Sequence, residues 1–287
     1  MYMGNIMVEK QTYLLNNGIE IPVLGLGTWL SKGDDAYLAT LRALKAGYRH
    51  IDTAQAYDNE IEIGRAIKDS KIPRNEIFIT SKIAAEIKDY KMAKKSIDES
   101  LSRLGLDYID LMIIHSPQPW AEFGQNPYRY QKENLEVYKA LEEYYQAGKL
   151  KAIGVSNFSI EDIQNILEHC HIKPMVNQIC VFISNIPYDN IEFCHAKDIA
   201  VEAYSPLSHR GVFSNPELIA LAKKYNRSVA QISLRFLLDM NLIVIPKARS
   251  EEHICDNMGL DFTLDEKDFA YIKTISTVRS GWDGGDE

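Results

Sequence analysis

Short apolar, β-branched runs take turns with amphipathic stretches of helical period along almost the whole chain, the pattern of strands alternating with helices. Val23 to Gly27 precedes a helical stretch from Asp34 to Ala46, Tyr48 to Ile51 precedes Glu60 to Lys68, and Ile77 to Ser81 precedes Tyr90 to Leu104. The order continues with Ile109 to Ile114 before Lys132 to Ala147, Lys151 to Val155 before Ile160 to His169, and Met175 to Gln178 before Tyr188 to Ala196. Ile199 to Tyr204 is followed by two helical stretches, Pro216 to Tyr225 and Val229 to Leu238, and Leu242 to Ile245 by Glu252 to Met258. Strands that alternate with helices require right-handed parallel crossovers, and eight such units suit a closed barrel better than an open sheet. The expected fold is an α/β (β/α)8 TIM barrel with extra helices near its C-terminus.

Ahead of the first unit, Asn17-Gly18 sits between two short apolar runs. Both residues tolerate positive φ, so residues 11–22 read as an N-terminal β-hairpin. No Pro/Gly/Ser-rich linker separates two compositionally distinct halves, and residues 1–287 are expected to form one domain. Gly25 and Gly27 read as a turn at the end of the first strand. The longest interruption, His115 to Tyr130, carries three prolines, Trp120, Phe123 and two tyrosines. It follows the fourth strand, where barrel loops build active sites, and reads as a substrate-facing loop.

Composition narrows the function classes. Apolar residues at 46% and charged ones at 25% describe a globular chain that can bury a large core. A formal charge of −8 argues against a general nucleic-acid or anionic-membrane binder, since both need a positive surface. Cys170, Cys180, Cys194 and Cys255 show no CxxC pairing and read as reduced thiols. Met1 to Lys10 lacks a signal peptide's apolar run, and no segment is apolar for long enough to span a membrane, so a cytoplasmic monomer is expected. His169 and His171 read as a solvated helix end and no metal is expected.

Asp52, Tyr57, Lys82 and His115 each fall at or just after the C-terminal end of a predicted strand. Barrel strands aim those ends at one mouth, so the four converge there. The set suits carbonyl reduction, in which hydride addition leaves negative charge on oxygen and an acid must stand close by. Tyr57 is the candidate acid. Lys82 would lower its pKa, Asp52 would hold Lys82 ionised, and His115 would orient the carbonyl or share the proton with Tyr57. Singly, each has a plainer structural role: an Asp52–Lys82 ion pair, a loop anchor, a strand-end donor. The joint placement favours chemistry.

The run Tyr48-Arg49-His50-Ile51-Asp52-Thr53-Ala54 followed by Tyr57 and Asn59-Glu60 resembles the signature of the aldo-keto reductase superfamily. Leu104 to His115, Gly148 to Phe158, Asn177-Gln178, Ala203 to Leu207 and Ile245 to Lys247 are similar to that family's other blocks, in its usual order. The likeness is to its bacterial aldehyde reductase and 2,5-diketo-gluconate reductase-like branch. It implies NADPH bound without a Rossmann domain, a small-molecule carbonyl substrate, and the roles above for the tetrad. It also implies that Ser156, Asn157 and Gln178 hold the nicotinamide carboxamide, that Tyr204 stacks on the ring, and that Ser205 and Leu207 belong to a loop over the pyrophosphate.

Two departures stand out. Where the family pattern resembles Lys-Ser, an arginine and then Glu-Asn, this chain has Lys247-Ala248, His253 and Asp256-Asn257. Ala248 lacks a hydroxyl and His253 lacks arginine's fork, so Arg249 and Ser250 are the candidate substitutes at the 2′-phosphate, and NADH becomes the alternative cofactor. Ser116 follows His115 where many relatives carry tryptophan. It should open one pocket wall unless Trp120 or Phe123 folds in, with Trp29 as the other aromatic wall. The C-terminal tail from Ser280 would also shape substrate choice. Two rival readings remain: a nicotinamide-binding regulatory module without turnover, and Schiff-base chemistry on Lys82.

Overall fold

A computed structural model describes residue 8, residues 11–126 and residues 128–278. The expectations for the N-terminal leader and for the tail from Ser280 lie outside these residues. The hairpin forms as read: β1 (Thr12–Leu14) and β2 (Glu20–Pro22) pair antiparallel around Gly18 at φ 84°.

Eight parallel strands follow: β3 (Leu26–Gly27), β4 (His50–Asp52), β5 (Phe78–Ile83), β6 (Ile109–Ile114), β7 (Leu150–Ser156), β8 (Val176–Cys180), β9 (Ala200–Tyr204) and β10 (Ile243–Val244). Each pairs with its sequence neighbour, so strand order in the sheet is chain order. Leu24 bridges Val244 in parallel, Gly25 N donates to Val244 O (2.9 Å) and Gly27 N to Pro246 O (3.1 Å), which joins the first strand to the last. The glycines that read as a turn instead form this seam. A Cβ on Gly27 would stand 2.7 Å from Ile245 O, and one on Gly25 2.7 Å from His50 Nδ1, so only glycine admits the close strand approach.

The helices lie between strands as expected: α1 (Gly33–Ala46), α2 (Glu60–Ser70), α3 (Tyr90–Leu104), α4 (Gln131–Gln146), α5 (Ile160–His169) and α6 (Tyr188–Ala196). Beyond β9 come α7 (Pro216–Tyr225) and α8 (Val229–Asp239), then α9 (Glu251–Asp256) and α10 (Glu266–Ile272) after β10. Local chemistry sets their ends. Ser159 and Asp162 form a capping box on α5, Ser228 and Gln231 another on α8, and Gly105 closes α3 in the left-handed region at φ 64°. Each cap satisfies backbone groups that a helix end leaves unpaired.

Strands β5 and β6 are buried on both faces by Ile79, Ile83, Leu111, Ile113 and Ile114, as a parallel sheet wrapped in helices demands. The polar residues inside the barrel are therefore exceptions, and they gather toward the C-terminal strand ends. Among the described residues no helix is long and apolar enough to cross a membrane.

Candidate active site

Asp52 ends β4 and Lys82 lies one strand over in β5, both pointing inward. Lys82 Nζ donates to Asp52 Oδ1 (2.6 Å) and Oδ2 (2.7 Å) and to Thr53 O (2.9 Å), and Lys82 has no exposed surface. Burial presses the Lys82 pKa down, but Asp52 outweighs it and the net shift is upward. Lys82 is thus a fixed ammonium, and the free amine that Schiff-base chemistry requires is not offered.

Tyr57 is carried on a 3-10 turn, Gln55–Tyr57, just past β4. Two anchors hold the turn: Gln55 Nε2 donates to Ser96 O and Ser100 Oγ (both 2.8 Å), and buried Asn59 donates to Thr28 O (3.0 Å) and Ser31 O (2.9 Å). The ring thereby sits with its centroid 4.9 Å from Lys82 Nζ and meets His115 edge-on at 5.5 Å. The four residues, drawn from the ends of three strands, form one cluster. Its electrostatics differ from expectation in one respect. Burial raises the Tyr57 pKa to about 12 even though Lys82 opposes it, because loss of hydration costs a phenolate more than one ammonium returns here. Tyr57 rests as the protonated phenol.

His115 follows β6, is buried, and has its pKa pushed well down by burial and then by Lys82, so the imidazole is neutral. Its Nδ1 is buried without a hydrogen-bond partner. Trp120 stands edge-on to the His115 ring at 5.2 Å and Phe123 lies 5.6 Å from Trp120. Ser116, by contrast, is fully buried; its hydroxyl accepts from Gln118 N (3.3 Å) and its carbonyl from Lys88 Nζ (2.9 Å). It therefore lies beneath the loop rather than on a pocket wall, and Trp120 supplies the aromatic surface. Gln118 stitches the loop by accepting from Gly124 N (2.8 Å) and donating to Asn126 O. Trp29 meets His209 edge-on at 5.6 Å.

On the far side of the mouth, Ser156 ends β7 and Asn157 follows at φ 62°. Asn157 Nδ2 donates to His115 O and Ser156 Oγ (both 3.0 Å), and Tyr204 OH donates to Asn157 Oδ1 (2.8 Å). This chain links the tetrad to the Tyr204 ring at the end of β9. Gln178 departs from expectation: its Nε2 donates inward to Asp52 Oδ2 (2.8 Å) and to Glu202 Oε2 (2.7 Å). Past Tyr204 the backbone is left-handed at Ser205, Ser208, His209 and Arg210, and Ser205 Oγ lies 3.2 Å from His209 Nε2. Leu207 packs partly buried in the same loop.

The expected phosphate residues are less united. Lys247 is exposed, Ala248 is buried, and Arg249 donates to Leu30 O (2.8 Å) beside Asp35 at 3.6 Å. Ser250 caps α9 by accepting from His253 N (3.2 Å); His253 is exposed and Asn257 buried. The residues missed from sequence were His50 and Glu202 as interior groups. Glu202 is an ionisable side chain within the otherwise apolar run Ala200 to Ala203, and that anomaly was the available signal.

The Ser156 hydroxyl, which accepts from Asn157 and keeps its own O–H to donate, and the Gln178 carbonyl oxygen beside the Tyr204 ring suit a nicotinamide carboxamide, which needs both a donor and an acceptor beside an aromatic face. The family model described as Aldo/keto reductase family matches residues 23–277. The chain is 38% identical over 269 residues to the glyoxal reductase of Bacillus subtilis (strain 168), covering 93% of each. An aldo-keto reductase, MGS-M4, from a Medee basin deep-sea metagenome superposes with TM-score 0.86 at 39% identity, over 96% of this chain and 100% of the other. The Bombyx mori aldo-keto reductase in complex with NADP superposes with TM-score 0.84 at 35% identity, over 92% of each chain. The chain belongs to the Aldo/keto reductase family.

Proposed function

We propose that this enzyme reduces small aldehydes and ketones to alcohols, with Tyr57 giving the proton to the carbonyl oxygen. NADPH supplies the hydride. The reading is carried by one observation: a buried Lys82–Asp52 pair lies beneath the Tyr57 ring, which meets edge-on a histidine whose buried Nδ1 has no hydrogen-bond partner. As negative charge grows on the carbonyl oxygen, that oxygen becomes basic enough to take the Tyr57 proton, and the Lys82 ammonium stabilises the phenolate left behind. Asp52 keeps Lys82 charged and in place. His115, neutral, holds the carbonyl by hydrogen bonding and adds no charge of its own.

Ser156, Asn157 and Gln178 would hold the carboxamide, and Tyr204, its hydroxyl pinned by Asn157, would present its ring face. The Trp120 wall against His115 suits a small substrate, and the likeness to a glyoxal reductase puts α-oxoaldehydes first in the assay. The test is a carbonyl panel with NADPH, run on wild type and Tyr57→Phe. Removing the acid should cost about 10²- to 10⁴-fold in kcat with the NADPH Kd unchanged. Wild-type turnover by Tyr57→Phe would sink the assignment.

A further inference from the structure

Beneath the reacting groups lies a second buried carboxyl that the mechanism above does not use. Glu202 has no exposed surface, and in the β8–β9 register it is the direct partner of Gln178. From β4 it faces Asp52 and His50, from β5 Lys82, and Tyr57 from the turn above; β10 beside it brings only the apolar Ile243 and Val244. Two carboxyls, Asp52 and Glu202, thus share one ammonium and one amide. Lys82 engages both oxygens of Asp52, which makes Asp52 the ionised member. Glu202 receives one N–H of Gln178 Nε2, whose other N–H goes to Asp52.

The His50 tautomer decides what the other side of Glu202 meets. His50 Nδ1 lies 3.3 Å from Pro22 O, which can only accept, so Nδ1 carries the proton. Burial drives the His50 pKa to about 3, so the ring is neutral and Nε2 is bare. That lone pair accepts from the Thr80 hydroxyl at 3.0 Å, and Glu202 Oε1, buried without a hydrogen-bond partner, stands 3.4 Å from it. A carboxylate there would face a lone pair and a second carboxylate with one N–H, from Gln178, as its donor. A carboxylic acid instead directs its proton at Nε2 and accepts from Gln178 on its other oxygen.

We propose that Glu202 is a positioning residue for the reduction: as the neutral acid it locks the Gln178 amide between two carboxyls without adding charge beneath Lys82, and its ionisation turns the reaction down. With both Nε2 hydrogens committed inward, Gln178 offers the nicotinamide carboxamide its carbonyl oxygen alone. Ionised Glu202 would leave the site net negative next to an oxygen that must itself gain negative charge. The inference rests on the carbonyl-reductase reading for its kinetic half only.

Burial, reinforced by Asp52, raises the Glu202 pKa to about 8. The proton is therefore present below that pH and lost above it. The carboxyl-carbon NMR signals of wild-type protein carrying ¹³C-labelled glutamate should show one group titrating far above the ordinary ~4.3 of glutamate, absent from Glu202→Gln. In parallel, wild-type kcat should fall about tenfold per pH unit above the Glu202 midpoint. A limb supplied by Tyr57 would persist in Glu202→Gln, so its loss in that variant identifies Glu202. Glu202→Gln, whose amide can donate to His50 and accept from Gln178, should keep turnover within about threefold at neutral pH and lose the limb. A purely packing role would leave the two pH profiles superimposed, and that result overturns the proposal. So does an ordinary titration of Glu202 in wild type, a measurement that needs neither the variant nor turnover. If the raised titration is seen but no carbonyl is reduced, the functional reading falls instead.

Discussion

Lys82→Met separates the electrostatic role of Lys82 from its structural one. Methionine keeps most of the stem and removes the ammonium that lies 4.9 Å from the Tyr57 ring centroid. With an effective dielectric of about 20, a unit charge at that separation is worth about 3 kcal/mol to the forming phenolate, on the order of 10² in rate. The substitution also strands Asp52, whose two oxygens lose their 2.6 and 2.7 Å contacts and keep only Gln178 as a donor. Breaking a buried pair from one side costs about 3–5 kcal/mol, and the cost here carries a pH signature. Burial already presses the Asp52 carboxyl upward against Lys82 and Gln178; without Lys82 it rises further above its unfolded value of ~3.9. A carboxyl whose folded pKa is raised binds its proton more tightly in the native state. Stability is therefore full at acid pH and falls by about 1.4 kcal/mol per unit as pH rises from the unfolded pKa toward the folded one. Urea unfolding at acid and neutral pH should show this slope in Lys82→Met. In Asp52→Asn/Lys82→Met, both charges are gone, so most stability should return while kcat stays on the order of 10² low. If the double variant recovers activity along with stability, or if Lys82→Met turns over at the wild-type rate, the charge argument is wrong.

Sequence periodicity located the barrel because each unit is a local pattern: α5 and α7 begin and end where apolar spacing and capping residues place them. The candidate cluster was legible for a related reason, since strand ends converge wherever the fold is a barrel. What the pattern could not carry were the contacts that depend on closure. Gly25 and Gly27 looked like a turn because Ile245, whose carbonyl forbids Gly27 a side chain and whose methyl crowds Gly25 together with the His50 ring, lies more than 200 residues away. Ser116 looked like a pocket wall because the path of the loop decides which side chain faces inward, and Gln118 turns it so that Trp120 does. The Tyr57 pKa went the other way because the depth of burial, unlike a neighbouring charge, cannot be read from residue type.

Trp120→Ala should strip the aromatic edge from His115 and raise KM for small aldehydes by roughly 3–10-fold, the worth of an aromatic pair, with the NADPH Kd unchanged. A shift in Kd instead would place Trp120 on the cofactor. Cofactor preference follows from the residues expected at the 2′-phosphate. Lys247 is exposed and able to meet a phosphate, but Ala248 is buried and has no hydroxyl, and His253 offers no fork. Arg249, the nearest guanidinium, is engaged with Leu30 O and Asp35 across the rim, so a phosphate must compete for it. Each charge-assisted hydrogen bond is worth about 1.5–3 kcal/mol, and forfeiting two of them should hold the NADPH-over-NADH ratio of kcat/KM below ~1,000, about 4 kcal/mol. Ala248→Ser/His253→Arg should raise that ratio at least about tenfold, read in parallel from fluorescence-quenching Kd values for the two cofactors. A wild-type ratio above ~1,000, or a double variant with no change, would mean that Arg249 leaves Leu30 and Asp35 at little cost and takes over the phosphate.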